Sequence, residues 1–361
     1  MNILIDIAHP AHVHLIRNTY AELIKHKHKV YVTVKEIPSA IDLLEKYHIP
    51  YIHLGGKKDS LLGKALLQIS YNLKVWWLVT TKNINIGFGT SITIPHISRF
   101  TNMHSIILDD DDDSAEPLFV KYGHPYSDVV LSPDCISRAS IKGIPYKGYH
   151  ELAYLHPSRF KPDPEVLSEI GLTTDDTYFV VRFNAFKAHH DVNVEGLSIE
   201  NKRRLIAYLE TKGKVFITTE RNIDEEFKKY QLLLSPEKIH SLIYYATLLI
   251  GDSQTMTSEA AVLGTPAVKC NSFAGKLSVP NELEEKYGLC YSYLPENSGE
   301  FFEKIKELLN DANTKSVFRK RKEKMLAEKI DVTAFYIWFI KNYPKSAKIM
   351  KENPDYQNTF K

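Results

Sequence analysis

The chain has 361 residues, with a hydrophobic content of 43% and a charged content of 25% that are ordinary for a globular protein. This length exceeds what one hydrophobic core usually supports, so we expect two domains. The formal net charge of +2, without a long Lys/Arg run, gives no reason to expect a nucleic-acid partner.

Strand and helix patterns alternate through the first third of the chain. The apolar runs typical of buried strands lie at residues 2–8, 29–34, 84–89 and 104–110. Helical patterns fill the intervals between them. The alternation predicts a parallel, doubly wound α/β sheet over residues 1–135, with the loops after the strands along one edge.

Proline and glycine interrupt regular structure between residues 136 and 176, which predicts an interdomain connection. The alternation of strands and helices then restarts and predicts a second domain of the same kind at 177–330. Helices are expected in residues 331–361, and one alternative is that they cross back to the N-terminal domain.

The most informative stretch is LLIGDSQTMTSEAAVLGTPAV at residues 248–268. It reads as a short buried strand that Gly251 ends, followed by a helix that Gly264 terminates and for whose start Asp252, Ser253 and Thr255 offer side-chain caps. The free N–H groups of a helix that opens from a strand attract phosphate. Glu259 lies about one turn further along, where its carboxylate can accept hydrogen bonds from a sugar diol. The simpler interpretation is an ordinary turn whose polar residues only cap the helix.

This stretch resembles the donor-binding segment of GT-B-type glycosyltransferases and of the related non-hydrolysing UDP-N-acetylglucosamine 2-epimerases. Together with HPAHVH at 9–14, YKGYHELAYLHP at 146–157 and AHHD at 188–191, it makes the chain similar to a GT-B-like family of surface-polysaccharide gene clusters. The resemblance implies the GT-B fold, in which two Rossmann-like domains face each other across a cleft. The N-terminal domain then holds the acceptor and the C-terminal domain holds the nucleotide-sugar donor.

The resemblance also implies roles for the residues of the helix start. Ser253, Gln254 and Thr255 are expected to contact the donor diphosphate, and Glu259 to bind the ribose hydroxyls. Arg182, at the end of a predicted strand, can neutralise the diphosphate through two parallel hydrogen bonds, and Asn184 follows it.

Three histidines follow the first predicted strand. In GT-B transferases this loop borders the acceptor, and a histidine there can remove the proton of an acceptor hydroxyl. His9 is our first candidate for this base and His12 the second, with His14 nearby. The alternatives are histidines that cap or pack a helix, and a metal site, for which no carboxylate or cysteine stands at supporting spacing.

The aspartate run from Asp109 to Asp113 follows another predicted strand, so we expect it to line the cleft. Asp110 and Asp111 are candidates for binding an acceptor sugar or for acid/base chemistry, and mutual repulsion should raise some pKa values in the run. Five consecutive aspartates also contain the Asp-x-Asp pattern that holds a metal in GT-A transferases. We discount that interpretation, because any such run meets the pattern automatically.

The predicted function is transfer of a sugar from a nucleotide-diphosphate donor, first of all a UDP-sugar, to a glycan or lipid-linked acceptor, without a cofactor or metal. A sugar-nucleotide 2-epimerase and a non-catalytic nucleotide-sugar-binding protein are the alternatives. No oligomeric state follows from the sequence.

We expect a cytoplasmic protein, because the first strand begins near Asn2 and the three cysteines form no CxxC pair. A long helix pattern at residues 60–81 carries leucines, two tryptophans and several lysines. We interpret it as a core helix with lysines in solvent, and the alternative is a peripheral contact with the inner face of a membrane.

Overall fold

The computed structural model describes residues 1–56, 60–138, 140–183, 196–219 and 223–361, with the backbone only at positions 61, 62, 64 and 65. It divides into two compact units. The first unit comprises Met1–Arg159 together with Lys329–Lys361, and the second comprises Phe160–Glu328.

Strands and helices alternate along both units. The strands are β1 Asn2–Ile7, β2 Lys29–Val34, β3 Ile52–His53, β4 Ile86–Gly89, β5 His104–Leu108, β6 Val129–Pro133, β7 Gly143–Tyr146, β8 Tyr178–Arg182, β9 Lys214–Thr218, β10 Leu248–Gly251, β11 Ala267–Cys270 and β12 Tyr291–Tyr293. The helices are α1 Pro10–Lys25, α2 Pro38–Lys46, α3 Leu61–Lys82, α4 Thr93–Ser98, α5 Pro117–Tyr122, α6 Leu152–Leu155, α7 Glu165–Ser168, α8 Ile199–Glu210, α9 Ile239–Tyr245, α10 Gln254–Leu263, α11 Ser278–Asn281, α12 Ser298–Asn310, α13 Thr314–Glu328, α14 Val332–Asn342 and α15 Lys345–Glu352. The predicted α/β class is therefore confirmed.

A parallel sheet forms the centre of the first unit. Within the described residues it has seven strands in the order β3-β2-β1-β4-β5-β6-β7. The chain moves outward from β1 to β2 and β3 and then returns to place β4 on the other side of β1. The direction of winding therefore reverses between β1 and β4. At such a reversal the loops after the two strands diverge and leave room for a ligand.

The end of the chain packs with the first unit. Ile330 N donates a hydrogen bond to Lys147 O (2.9 Å), and Thr333 Oγ1 donates to Ala153 O (2.6 Å). The buried Tyr336 on α14 donates its hydroxyl hydrogen bond to Tyr146 Oη on β7 (3.0 Å). These contacts assign residues 329–361 to the same core as the first sheet.

The second unit repeats the plan with a parallel sheet ordered β12-β11-β10-β8-β9. Its winding reverses between β8 and β10, which pair in parallel with Gly251 opposite Arg182. A Cβ atom at Gly251 would lie 2.0 Å from Arg182 O, so the two strands approach too closely there for any larger residue. This glycine sets the start of α10 directly beside the end of β8.

The domain boundaries differ from the predicted ones. The segment predicted as a connection, residues 136–176, contains β7 and α6, which belong to the first unit, and the second unit begins at Phe160. The error has a physical reason. β7 is the edge strand of its sheet, where Pro145 lacks an N–H group that a central strand would need.

We predict that Gly251→Ala destabilises the second unit by about 1–3 kcal/mol, because the new methyl group overlaps the backbone of β8. Thermal or urea unfolding measures the effect. Gly299→Ala on α12 is the matched control, since a Cβ there meets no atom within 4 Å. Equal stability of the two variants would contradict the close approach of β8 and β10.

Candidate functional site

The three histidines after β1 have three different environments. His9 is exposed and caps α1, because its Nδ1 accepts a hydrogen bond from Ala11 N (3.2 Å). His14 is buried, and its Nδ1 lies 3.0 Å from Tyr47 Oη. His12 reaches the loop after β4, where its Nδ1 lies 2.7 Å from Thr90 Oγ1. His12 therefore lies at the point of strand reversal in the first unit, and the choice between His9, our first candidate from the sequence, and His12 as the base stays a prediction.

The environment of His12 keeps its imidazole neutral. Burial, together with the nearby His9, lowers the pKa of His12 to about 3, although the charge of Asp110 acts in the opposite direction. A neutral imidazole retains a lone pair that can accept a proton. The mutual influence of His12 and Asp110 on their pKa values also means that the two predicted candidates lie close together.

Two aspartates of the run are held in ion pairs that stabilise the loop after β5. Asp109 is buried, and its Oδ2 lies 2.7 Å from His124 Nε2 and 3.0 Å from Arg138 Nη1. The same Arg138 nitrogen lies 2.7 Å from Asp113 Oδ1. A guanidinium shared by two carboxylates compensates for their desolvation. Asp109 and Asp113 therefore fix the shape of this loop.

Asp110, which is partly exposed, pairs with a buried histidine from the segment after β7. Its Oδ1 lies 2.9 Å from His150 Nδ1. Burial alone would raise the pKa of Asp110, but the charge and hydrogen bond of His150 outweigh it and lower that pKa. The same pairing overcomes the effect of burial on His150 and raises its pKa. Both shifts favour the ionised carboxylate and the protonated imidazole, beside the neutral His12.

Asp111 differs from its neighbours, because its side chain is exposed to solvent and lies close to other carboxylates. Partial burial and the charges of Asp110 and Asp109 raise its pKa to about 7. Its backbone N donates to Asp109 Oδ1 (3.1 Å), which holds it at this position. At neutral pH this side chain is present both as the acid and as the carboxylate. Across the residues that the structure describes, no three His, Cys, Asp or Glu side chains converge on a metal site.

In the second unit the loop after β10 leads directly into α10. Ser253 is the N-cap, and its Oγ accepts a hydrogen bond from Met256 N (3.4 Å). Gln254 and Thr255 begin the helix and are partly exposed. The first N–H groups of the helix and its positive dipole end lie here, as the sequence predicts for an anion site.

Lys269 on β11 is a residue that sequence reasoning missed. It is 1% exposed, and its Nζ donates a hydrogen bond to Gln254 Oε1 at the start of α10. Burial lowers its pKa to about 8, so it remains mainly protonated at neutral pH. The available signal was a single lysine inside the apolar run AVKC. The structure adds this cation to the predicted phosphate-binding helix start.

Arg182 ends β8 beside the same loop. Its backbone O accepts a hydrogen bond from Asp252 N (3.1 Å), and its Nη1 lies 3.4 Å from Thr218 Oγ1. The side chain is 8% exposed. The structure therefore brings Arg182 and Ser253 to one edge of the second sheet. Asn184, and the AHHD segment at 188–191, lie outside the described residues.

Glu259 lies on the second turn of α10 and is buried. Its Oε1 lies 2.9 Å from Nε2 of His240 on α9. This contact joins two neighbouring helices and orients the carboxylate within the unit. The role of Glu259 toward a ribose stays a prediction, and a substitution there also removes a partner of the buried His240.

The pH dependence of stability tests the environment of Asp111. An aspartate with a pKa of about 7 in the folded state and about 3.9 in the unfolded state keeps its proton longer when folded. The protonated side chain contributes fully to the stability of the folded state below the unfolded pKa. This contribution is lost as the pH rises through 7. We predict that the melting temperature of Asp111→Asn, relative to wild type, increases from pH 4 to about pH 7 and then levels off. A difference in melting temperature that is constant over this pH range would contradict the raised pKa of Asp111.

Comparisons with solved structures show which known fold this is. S. aureus MnaA, in a co-structure with UDP, has a TM-score of 0.69 at 13% identity and covers 96% of this chain and 97% of its own. The spinosyn rhamnosyltransferase SpnG, complexed with spinosyn aglycone, has a TM-score of 0.63 at 12% identity, with 95% and 100% covered. The UDP-GlcNAc 2-epimerase from Neisseria meningitidis, bound to UDP-GlcNAc, has a TM-score of 0.57 at 12% identity, with 91% and 100% covered.

The fold is therefore GT-B, with two Rossmann-like units, and the predicted resemblance is confirmed. An uncharacterized protein from Methanocaldococcus jannaschii is 22% identical over 287 residues, which is 75% of this chain and 82% of that protein. Residues 1–345 match the family model described as "Protein of unknown function (DUF354)", and the chain belongs to that family.

Proposed function

We propose that the protein is a GT-B-type glycosyltransferase that moves a sugar from a nucleotide-diphosphate donor to a hydroxyl acceptor. The observation that carries the proposal is the position of His12 at the strand reversal of the first sheet, neutral and beside the ionised Asp110. A neutral imidazole can accept a proton in general-base catalysis, and a pKa as low as that of His12 requires that the carboxylate of Asp110 stabilises the imidazolium as it forms.

In this proposal His12 removes the proton of the acceptor hydroxyl as that oxygen attacks the anomeric carbon. Its imidazole becomes an imidazolium, which the negative charge of Asp110 stabilises. In agreement with this, the charge of Asp110 acts to raise the pKa of His12. His150 holds Asp110 in its ionised form through the 2.9 Å contact. General-base assistance of this kind contributes roughly 10²–10⁴-fold to a rate.

The second unit supplies the donor site in the proposed reaction. A nucleoside diphosphate carries negative charge that increases on the leaving group as the glycosidic bond breaks. The start of α10 and the buried cation of Lys269 provide positive charge that stabilises this negative charge, and Gln254 lies between them. Among the structural neighbours, MnaA forms a co-structure with UDP and SpnG a complex with thymidine diphosphate, which supports a nucleoside diphosphate here.

We also propose the same donor, acceptor and metal-independent reaction that the sequence analysis predicts. The donor is a UDP-sugar first of all, the acceptor is a glycan or lipid-linked sugar of surface polysaccharide synthesis, and no metal or cofactor takes part. Positive groups at the diphosphate make a metal unnecessary for charge neutralisation in this scheme.

A sugar-nucleotide 2-epimerase is the second candidate, and Asp111 is the observation that favours it. Removal of a proton from carbon 2 of the sugar and its return to the other face need groups that exchange protons near neutral pH. A carboxyl group with a pKa of about 7, next to the ionised Asp110, meets that need.

The deciding experiment compares reactions with and without an acceptor. We predict that the protein consumes UDP-sugars only when acceptor glycans are present, and that His12→Gln lowers the rate by about 10²–10⁴-fold while UDP affinity is unchanged. The rate is followed by release of UDP, and the affinity by calorimetry.

Two results would contradict the proposal. A larger rate loss in His9→Gln than in His12→Gln would show that His9, the exposed cap of α1, is the base. Deuterium incorporation at carbon 2 of UDP-N-acetylglucosamine in D₂O, without acceptor, would establish the epimerase instead.

A further inference from the structure

The outward face of α3 in the first unit is apolar. Five large side chains on it are between 43% and 63% exposed: Leu66, Ile69, Leu73, Trp76 and Trp77. At about 100° per residue, these positions fall within an arc of roughly 100° around the helix axis. The opposite side carries Tyr71, Val75 and Leu78 into the core. The helix is therefore apolar on two faces, and only one of them is covered by the first unit.

The polar groups within the exposed arc have their hydrogen bonds satisfied by the helix itself. Thr80 Oγ1 donates to Trp76 O (2.9 Å), and Thr81 Oγ1 donates to Trp77 O (2.7 Å). Removing water from a hydroxyl group that already has a hydrogen bond costs little free energy. The last turn of α3 can therefore enter an apolar surrounding together with its tryptophans.

The charge of this part of the chain selects an anionic partner. Residues 60–108 contain no Asp or Glu, whereas the chain average of 44 acidic residues in 361 corresponds to about six in a segment of this length. The same segment contains Lys64, Lys74, Lys82 and Arg99. Lys74 on α3 is exposed beside the apolar arc, and its Nζ donates a hydrogen bond to Leu54 O (2.6 Å). A carboxylate-free basic segment that carries an exposed apolar face matches the chemistry of an anionic lipid surface.

We propose that α3 docks the first unit on a phospholipid bilayer with anionic headgroups. The helix lies along the interface, with Leu66, Ile69 and Leu73 toward the acyl chains. Trp76 and Trp77 lie at headgroup level, where tryptophan is enriched. In the described residues, no helix is long and apolar enough to cross a bilayer. Docking in this way does not depend on the proposed transfer reaction.

Flotation of the full-length protein with vesicles tests the docking surface. We expect wild type to float with vesicles of phosphatidylcholine containing about 30% phosphatidylglycerol, and to float much less with phosphatidylcholine alone. The double variant Leu73→Glu/Trp77→Glu places two charges on the exposed arc and should bind at least about tenfold more weakly.

The matched control is Ile141→Glu, which adds a charge at a side chain that is 91% exposed in the loop before β7. It should float like wild type. Equal melting temperatures of all variants confirm that they are folded, since the changed side chains lie on the surface.

Three results would overturn the proposal. The first is that wild type stays at the bottom of the gradient with anionic vesicles. The second is that the double variant floats as well as Ile141→Glu. The third is that light scattering finds a wild-type dimer which the double variant separates into monomers, because the face would then cover a second copy of the chain.

Discussion

Parallel strand pairing is the constraint on which both candidate sites depend. In each unit the first strand is followed by strands on one side and then by strands on the other, so the winding reverses beside that first strand. The reversal lies between β1 and β4 in the first unit and between β8 and β10 in the second. His12 with Thr90, and Arg182 with the start of α10, are the residues that the two reversals bring together. Gly251 shows how close this approach is, since no side chain fits between its strand and β8.

Charge is distributed differently at the two reversals. In the first unit one guanidinium and two histidines pair with three of the five neighbouring aspartates: Arg138 and His124 hold the loop through Asp109 and Asp113, and His150 keeps Asp110 ionised. Burial, together with the charges of Asp110 and Asp109, raises the pKa of Asp111 to about 7. In the second unit two buried cations, Arg182 and Lys269, lie beside a helix N-terminus. The first arrangement suits proton transfer, and the second suits binding of an anion.

Most of the fold could be predicted from local sequence, because apolar runs of strand length alternate with helical periodicity. The structure contains strands that this reasoning missed, β6, β7 and β12 among them, and two of these have features that hide them. β7 contains Pro145 and tolerates it only as an edge strand, and β12 is three half-buried residues long. The candidate residues could be placed after strands from the sequence, but their surroundings could not be predicted. His9 and His12 both follow β1, and the contact of His12 with Thr90, far away in the chain, is visible only in the structure. The aspartates of the run likewise differ through partners that lie 15 to 40 residues later in the sequence.

In the proposed donor site, the second unit binds a nucleoside diphosphate at α10 with the help of protonated Lys269. Calorimetry with UDP between about pH 7.5 and 9.5 tests it most directly, since the phosphates are fully ionised there and Lys269 has a pKa of about 8. Affinity should fall by up to about tenfold per pH unit in wild type, because binding then requires uptake of one proton. It should be weaker and independent of pH in Lys269→Met, and should fall as in wild type in Lys322→Met, whose lysine lies beside Gly264 at the other end of α10. The same pH dependence in wild type and Lys269→Met would contradict the account.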